Sequence, residues 1–208
     1  MNEVVKDYLN RPISFVELLR AQDEITKLYI DNGYITTGAY IPPQTIADGF
    51  VQIEVLEGSL ADISIAGLNH LSEDYIRDRL GRGTAVPVNV NNLVDSLQLL
   101  QLNPNIDNIS AELTTGTTLG TSILDLDIKE TKRFHSYAKF DNGRSPSVGT
   151  LRAQARLSRS SLWASGDELS LAYVKTEGSD TLDELAYRIP LNAEEGTLSF
   201  AIAIPITR

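Results

Sequence analysis

The sequence predicts an α+β region followed by an antiparallel β region. Three observations carry that reading. Two helical segments and then two β-rich runs fill residues 1–58. The same order, now opened by a strand, recurs over residues 59–131. From residue 132 onward helix periodicity stops, and alternating segments separated by turn residues take over.

In the first region, Phe15, Leu18, Leu19, Ile25, Leu28 and Tyr29 recur at helical spacing between charged residues, which predicts a long amphipathic helix. Ser14 with Glu17 three residues on reads as a capping box, and Asn32-Gly33 as the stop. A shorter helix is expected near residues 2–9. Strands are expected at residues 34–40, stopped by Pro42-Pro43, and at 50–55, closed by Glu57-Gly58. The second unit predicts a strand at 63–65 and a helix capped by Ser72 that runs to Leu80. A further helix from about Asn91 carries Leu93, Leu97 and Leu100, and strands follow at 109–114 and 123–128. Residues 51–57 align with residues 124–130, an offset of 73 (51 to 124). The first 131 residues therefore read as two βααββ modules, 1–58 without its opening strand and 59–131 complete.

Residues 132–208 hold alternating segments near 134–140, 150–158, 168–175, 182–189 and 198–206. In the second, Leu151, Ala153, Ala155 and Leu157 share one face, while Arg152, Gln154, Arg156 and Ser158 share the other. Segments of about ten residues with one apolar and one polar face mark a transmembrane β-barrel. A soluble antiparallel sheet alternates in the same way, and periodicity alone favours it.

Composition narrows the function classes. An apolar share of 42% with 22% charged residues suits an ordered, core-forming chain. A net charge of −10, with no basic run interleaved with aromatics, argues against nucleic-acid binding. Having no cysteine removes disulfides and thiolate chemistry. No apolar run approaches the roughly 18 residues of a membrane-spanning helix. Residues 1–7 lack the apolar segment of a signal peptide, so an exported protein is expected to carry its leader upstream of Met1. His70 and His135 have no partner at metal spacing, and no nucleophile-elbow, phosphate-loop or dinucleotide fingerprint occurs. An enzyme is not supported, and no cofactor or small-molecule substrate is expected. Glu57 and Glu130 occupy equivalent module ends, which favours structural roles.

Tyr34, Pro42-Pro43-Gln44, Gly49 and Glu57-Gly58, in this order and spacing, resemble the first POTRA module of two-partner secretion (TpsB) transporters, which export haemolysin- and adhesin-like proteins. Asp141-Asn142-Gly143, Gly149 and Gly166-Asp167 resemble the start of that family's outer-membrane barrel. The resemblance covers nearly the whole chain and implies α+β POTRA modules followed by the first antiparallel strands of a transmembrane barrel, 132–208. The family's inward-folded loop is expected beyond Arg208. Periplasmic modules, a Gram-negative outer membrane, bilayer lipid and an unfolded TpsA-like exoprotein as partners are likewise implied. Strand addition to the second strand of each module, with the adjoining helix groove, nominates Thr37, Tyr40, Leu18, Ile25, Ile109, Leu93, Leu97 and Leu100 as partner-binding. Arg152 and Arg156 are expected to face the lumen, where charge is tolerated. Read without a ligand, Pro42-Pro43 ends a strand, and Gly49 and Gly58 serve turns. The other architectures compatible with the sequence are an insertase for outer-membrane proteins and a soluble periplasmic scaffold.

Overall fold

The computed structural model describes residues 2–46, 49–142, 151–176, 180–193 and 196–206. They form two compact units, one of Met1–Ala66, Leu80–Leu100 and Ile109–Asp127, the other of Gly67–Arg79, Gln101–Asn108 and Ile128–Arg208.

The first unit opens with α1 (Asn2–Val5), a 3-10 turn (Lys6–Tyr8) and α2 (Phe15–Asp31). The Glu17 N–H donates to Ser14 Oγ at 3.3 Å, and the Ser14 N–H donates to the Glu17 carboxylate at 2.8 Å. This is the capping box the spacing predicts. The Ser14 N–H, the Arg11 guanidinium and the Ser14 hydroxyl together hold the Glu17 carboxyl down at about 2. At the other end Gly33 has φ +90°; its N–H donates to Ile30 O and that of Tyr34 to Tyr29 O, both at 2.9 Å. That pair of bonds is a Schellman stop, which requires the left-handed conformation glycine adopts freely. Leu18, Ala21 and Ile25 form the buried stripe of α2.

The strands that follow are shorter than expected. β1 (Gly38–Tyr40) pairs antiparallel with β2 (Glu54–Leu56), Ala39 opposite Val55. Residues 34–37 are spent on a turn closed by the Thr37 N–H on Tyr34 O, 3.1 Å. Beside residues 50–53 the partner is a side chain: Gln44 donates to Gln52 O at 2.7 Å and accepts from the Gln52 N–H at 2.8 Å. A side-chain amide both donates and accepts, so Gln44 completes the ladder that a strand residue would have completed.

β3 (Ser59–Ala66), α3 (Glu73–Leu80), α4 (Val90–Gln101), β4 (Ile106–Thr115) and β5 (Thr121–Glu130) give the second βααββ series. Their sheet has the order β3-β5-β4, with β3 parallel to β5 and Ile63 opposite Leu124. Parallel neighbours need a long crossover, and the two helices supply it. The central strand β5 turns Ser122, Leu124, Leu126 and Ile128 inward, and Leu80, Val88, Leu93 and Leu100 are also buried. Each large apolar side chain so removed from water contributes about 1.5–3 kcal/mol.

In the second unit, β6 (Phe134–Asp141), β7 (Arg152–Ser160), β8 (Glu168–Thr176), β9 (Asp180–Pro190) and β10 (Thr197–Ile206) form one antiparallel meander in sequence order. All five alternating segments of the sequence become strands. Bulges interrupt the register between Ala172 and Tyr173 and between Ile202 and Ile204.

Candidate functional site

Register divides the meander into two chemically different faces. Across β7, β8, β9 and β10 the rows Leu157↔Leu171↔Leu185↔Ile202 and Arg159↔Leu169↔Tyr187↔Phe200 fall on one face, which is apolar in these rows except for Arg159. Phe140 at 82% exposure, Ile202 at 59% and Phe200 at 58% show that this face lies open. A contiguous exposed apolar face marks a surface that meets another apolar body.

The opposite face carries Lys139 and Asp141 of β6, Arg152, Gln154, Arg156 and Ser158 of β7, Glu168 and Ser170 of β8, and Glu184 and Arg188 of β9. Arg152 sits opposite Asp141 and binds it through Nε at 3.1 Å and Nη2 at 2.7 Å, with Lys139 Nζ 3.4 Å away. Arg188 faces Glu168 at 3.1 Å. Arg156 reaches further. It stands opposite Ala172, which stands opposite Glu184, and its Nη2 passes over that methyl to Glu184 at 3.3 Å and Ser170 Oγ at 3.2 Å. Only a small residue at 172 leaves this passage open. Partly exposed pairs of this kind contribute at most about 1 kcal/mol each; their larger effect is to give each cation of the face a carboxylate partner and to hold the register. At one end of it, a cavity of about 550 Å³ is lined by Tyr75, Asn103, His135, Glu168, Arg188 and Ser199.

The turn between β7 and β8 is built around Asp167, which is 0% exposed. Its Oδ1 accepts the Leu162 N–H at 2.5 Å, and its Oδ2 accepts the N–H groups of Trp163 at 2.9 Å and Ala164 at 3.0 Å and the Tyr187 hydroxyl at 2.5 Å. Burial opposes the charge, but the tyrosine hydroxyl and the three N–H donors outweigh it and lower the Asp167 pKa. Ser161 closes the turn with φ +49° and its N–H on Asp167 O at 2.8 Å. Gly166 has φ +81°, and a Cβ there would come within 2.5 Å of Tyr75 Oη. The Ser72 N–H donates to Ser165 Oγ at 3.1 Å, Asn103 donates to Tyr75 Oη at 2.8 Å, and the Arg79 guanidinium lies 3.5 Å from the Tyr75 ring centroid. Periodicity finds the strands on either side but not this clamp, because Tyr75 and Tyr187 are remote in sequence.

Glu130 has a related role. Its carboxylate accepts the N–H groups of Asn69 at 3.0 Å, His70 at 2.9 Å and Leu71 at 3.0 Å, ordering the loop before α3. Glu57, its counterpart in the first module, is exposed.

Several residues nominated for partner binding are not on the surface. Thr37 is 3% exposed and accepts the Gly58 N–H at 3.0 Å; Leu93 and Leu100 are 4% and 1% exposed. These three are corrected to structural positions: the Thr37 hydroxyl is spent on the Gly58 N–H, and for Leu93 and Leu100 helical spacing identifies the face turned inward and says nothing of access from outside. Leu18 and Ile25 are also buried, though they line a cavity of about 550 Å³ with Val51 and Ile53. Leu97 and Ile109 are half-buried, Ile109 on β4 at the margin of its sheet. Tyr40 is exposed, its hydroxyl on Glu54.

The motif residues separate similarly. The Tyr34 N–H caps α2, Pro42 and Pro43 follow β1, Gln44 stands in for a strand, and Gly49 has φ +76°. A Cβ on Gly58 would overlap the Thr36 hydroxyl and lie 2.9 Å from the Thr36 carbonyl carbon. Asp141 pairs with Arg152, and the exposed Asn142 follows β6. Gly143 and Gly149 lie outside the described residues. Among the described residues no three His, Asp or Glu side chains gather to hold a metal ion, and no helix is long and apolar enough to cross a membrane.

Residues 1–58 match the family described as POTRA domain, ShlB-type. Over 173 residues the chain is 31% identical to the heme/hemopexin transporter protein HuxB of Haemophilus influenzae, covering 81% of this chain and 30% of HuxB. It is 25% identical over 161 residues to the outer membrane transporter CdiB of Dickeya dadantii, covering 77% of this chain and 28% of CdiB. The chain thus spans under a third of these relatives. In structure it is similar to CdiB from Escherichia coli, with a TM-score of 0.71 at 19% identity, over 97% of this chain and 38% of CdiB. BamA from Haemophilus ducreyi lacking POTRA domains 1–3 gives a TM-score of 0.64 at 15% identity, over 98% of this chain and 40% of that one. At such identities the likeness is one of fold, namely a POTRA-like α/β region followed by antiparallel strands of a barrel that is not closed here. Together with the ShlB-type domain, these relationships identify the chain as a homologue of the TpsB transporters of two-partner secretion.

Proposed function

We propose that these residues belong to an outer-membrane pore that exports a partner protein, with modules 1–58 and 59–131 in the periplasm and strands from 132–208 in the wall of the pore. The observation that carries this reading is the two-faced meander, one face apolar and exposed, the other laced with cross-strand ion pairs. A strand wall between lipid and a water-filled passage has this chemistry. On this reading Arg152 and Arg156 line the passage, where Asp141 and Glu184 neutralise them. The partner arrives unfolded and adds a strand at the β4 margin around Ile109 or beside Tyr40 of β1, since an edge strand offers main-chain groups whatever the partner's sequence.

The test uses the full-length protein in a Gram-negative host. Cell fractionation reports whether it sediments with the outer membrane, and mass spectrometry compares culture supernatants of producing and non-producing cells. Export predicts an outer-membrane location and at least one secreted protein that disappears without it. Ile109→Pro should reduce co-purification of that protein. A soluble periplasmic location would overturn the pore, and depletion of many outer-membrane proteins with an unchanged supernatant would indicate an insertase instead.

A further inference from the structure

The β7–β8 turn holds the single tryptophan of the sequence, Trp163, which is 73% exposed. Its ring meets that of Tyr187 edge to face, with centroids 5.1 Å apart and planes at 75°. One atom fixes both residues, because Asp167 Oδ2 accepts the backbone N–H of Trp163 and the Tyr187 hydroxyl. Tyr187 lies in the apolar row with Leu169 and Phe200. Trp163 precedes Leu169, the first outward residue of β8. The two rings therefore stand where the apolar face ends and a turn rich in polar groups begins. On that face β10 runs from Leu198 to Ile204, roughly 20 Å at about 3.4 Å per residue. This is close to the lipid-facing band of about 25 Å in barrels, which aromatic residues flank at both boundaries.

We propose that Trp163 and Tyr187, pinned together by Asp167, form an anchor in the headgroup region of the bilayer and set the depth of this end of the sheet. The inference rests on the reading of the meander as a lipid-facing wall. An indole joins an apolar body to a polar N–H, and at the lipid–water boundary both are satisfied; the Tyr187 hydroxyl stays on Asp167, and its ring extends the apolar body beside the indole. A flexible turn would let the rings seek the boundary independently. The clamp fixes them relative to the strand ends, so the boundary locates the sheet. On its other side the same turn receives Ser72 and Tyr75, so α3 shares this reference level.

The full-length protein is reconstituted in phosphatidylcholine vesicles, with any tryptophan outside residues 1–208 replaced by Phe. Fluorescence quenching of Trp163 is measured with lipids brominated high on the acyl chain, with lipids brominated near the chain ends, and with aqueous iodide. A second reporter, Leu171→Trp in a Trp163→Phe background, marks the middle of the apolar row. The expected result is that high bromines quench Trp163 more strongly than deep bromines or iodide do, while the Leu171→Trp reporter responds most to deep bromines. Trp163 quenched chiefly by iodide or chiefly by deep bromines, with the second reporter in lipid, overturns the anchor alone. If bromolipids quench neither reporter, the lipid-facing wall falls and the anchor with it.

Discussion

Replacing Asp167 by Asn changes little in volume and tests the clamp directly. The carboxylate accepts four hydrogen bonds, three from N–H groups of its own turn and one from Tyr187. An amide has one oxygen. If that oxygen takes the Oδ2 place, three bonds survive as neutral ones and the new NH₂ group faces the Leu162 N–H, donor against donor. The reverse orientation loses more. Hydrogen bonds to a charged acceptor contribute about 1.5–3 kcal/mol, and a buried donor left unpaired costs about 1–3 kcal/mol. Losing the Leu162 bond and weakening the other three should destabilise the fold by about 3 kcal/mol. Urea unfolding of detergent-solubilised protein, followed by Trp163 emission, measures this. A midpoint equal to that of the unmodified chain would refute the clamp. The pH dependence gives a second reading. Because the folded carboxyl titrates below its usual value of 3.8, its stabilisation is complete above that value and disappears as pH falls through the lower folded pKa. Asp167→Asn should abolish that component of acid sensitivity.

Gly166→Ala places a Cβ in the left-handed region, at about 1–2 kcal/mol, and against the Tyr75 ring; thermal unfolding should begin at lower temperature, and Tyr75→Ala should recover only the steric part. Gln44→Ala removes both bonds to Gln52 and should destabilise the first module by about 1–2 kcal/mol, seen as faster amide hydrogen exchange at Gln52. Ala172→Leu closes the passage of Arg156 to Glu184 and crowds the face, with an expected loss of about 1–3 kcal/mol in the same urea assay.

What the sequence made legible was what neighbouring residues decide. The capping box at Ser14 and Glu17, the stop at Gly33 and the five alternating strands depend on spacing along a single segment, and each is found. The expected strand 34–40 is shortened by the turn at 34–37, and the strand 50–55 is shortened because side chains replace backbone. Thr37 takes the Gly58 N–H and Gln44 takes both groups of Gln52, substitutions that no period reveals. Of the candidate surface, Leu93 and Leu100 are buried because apolar spacing marks a core, and Thr37 because its hydroxyl serves the Gly58 N–H. Alternation places Arg152 and Arg156 on the polar side of their strand, but their partners lie on other strands. The Asp167 clamp stayed hidden because its chemistry is assembled from residues scattered between Tyr75 and Tyr187.

Arg156 ties β7 to β9 across the full width of β8. Sliding β8 by a single position would swing Leu171 toward the guanidinium and turn Ala172 to the greasy side. The long cation would then lose the gap it threads. Of the ways three neighbouring strands can align, one keeps that tether intact, so the tether acts as a stop against slippage while the sheet zips together.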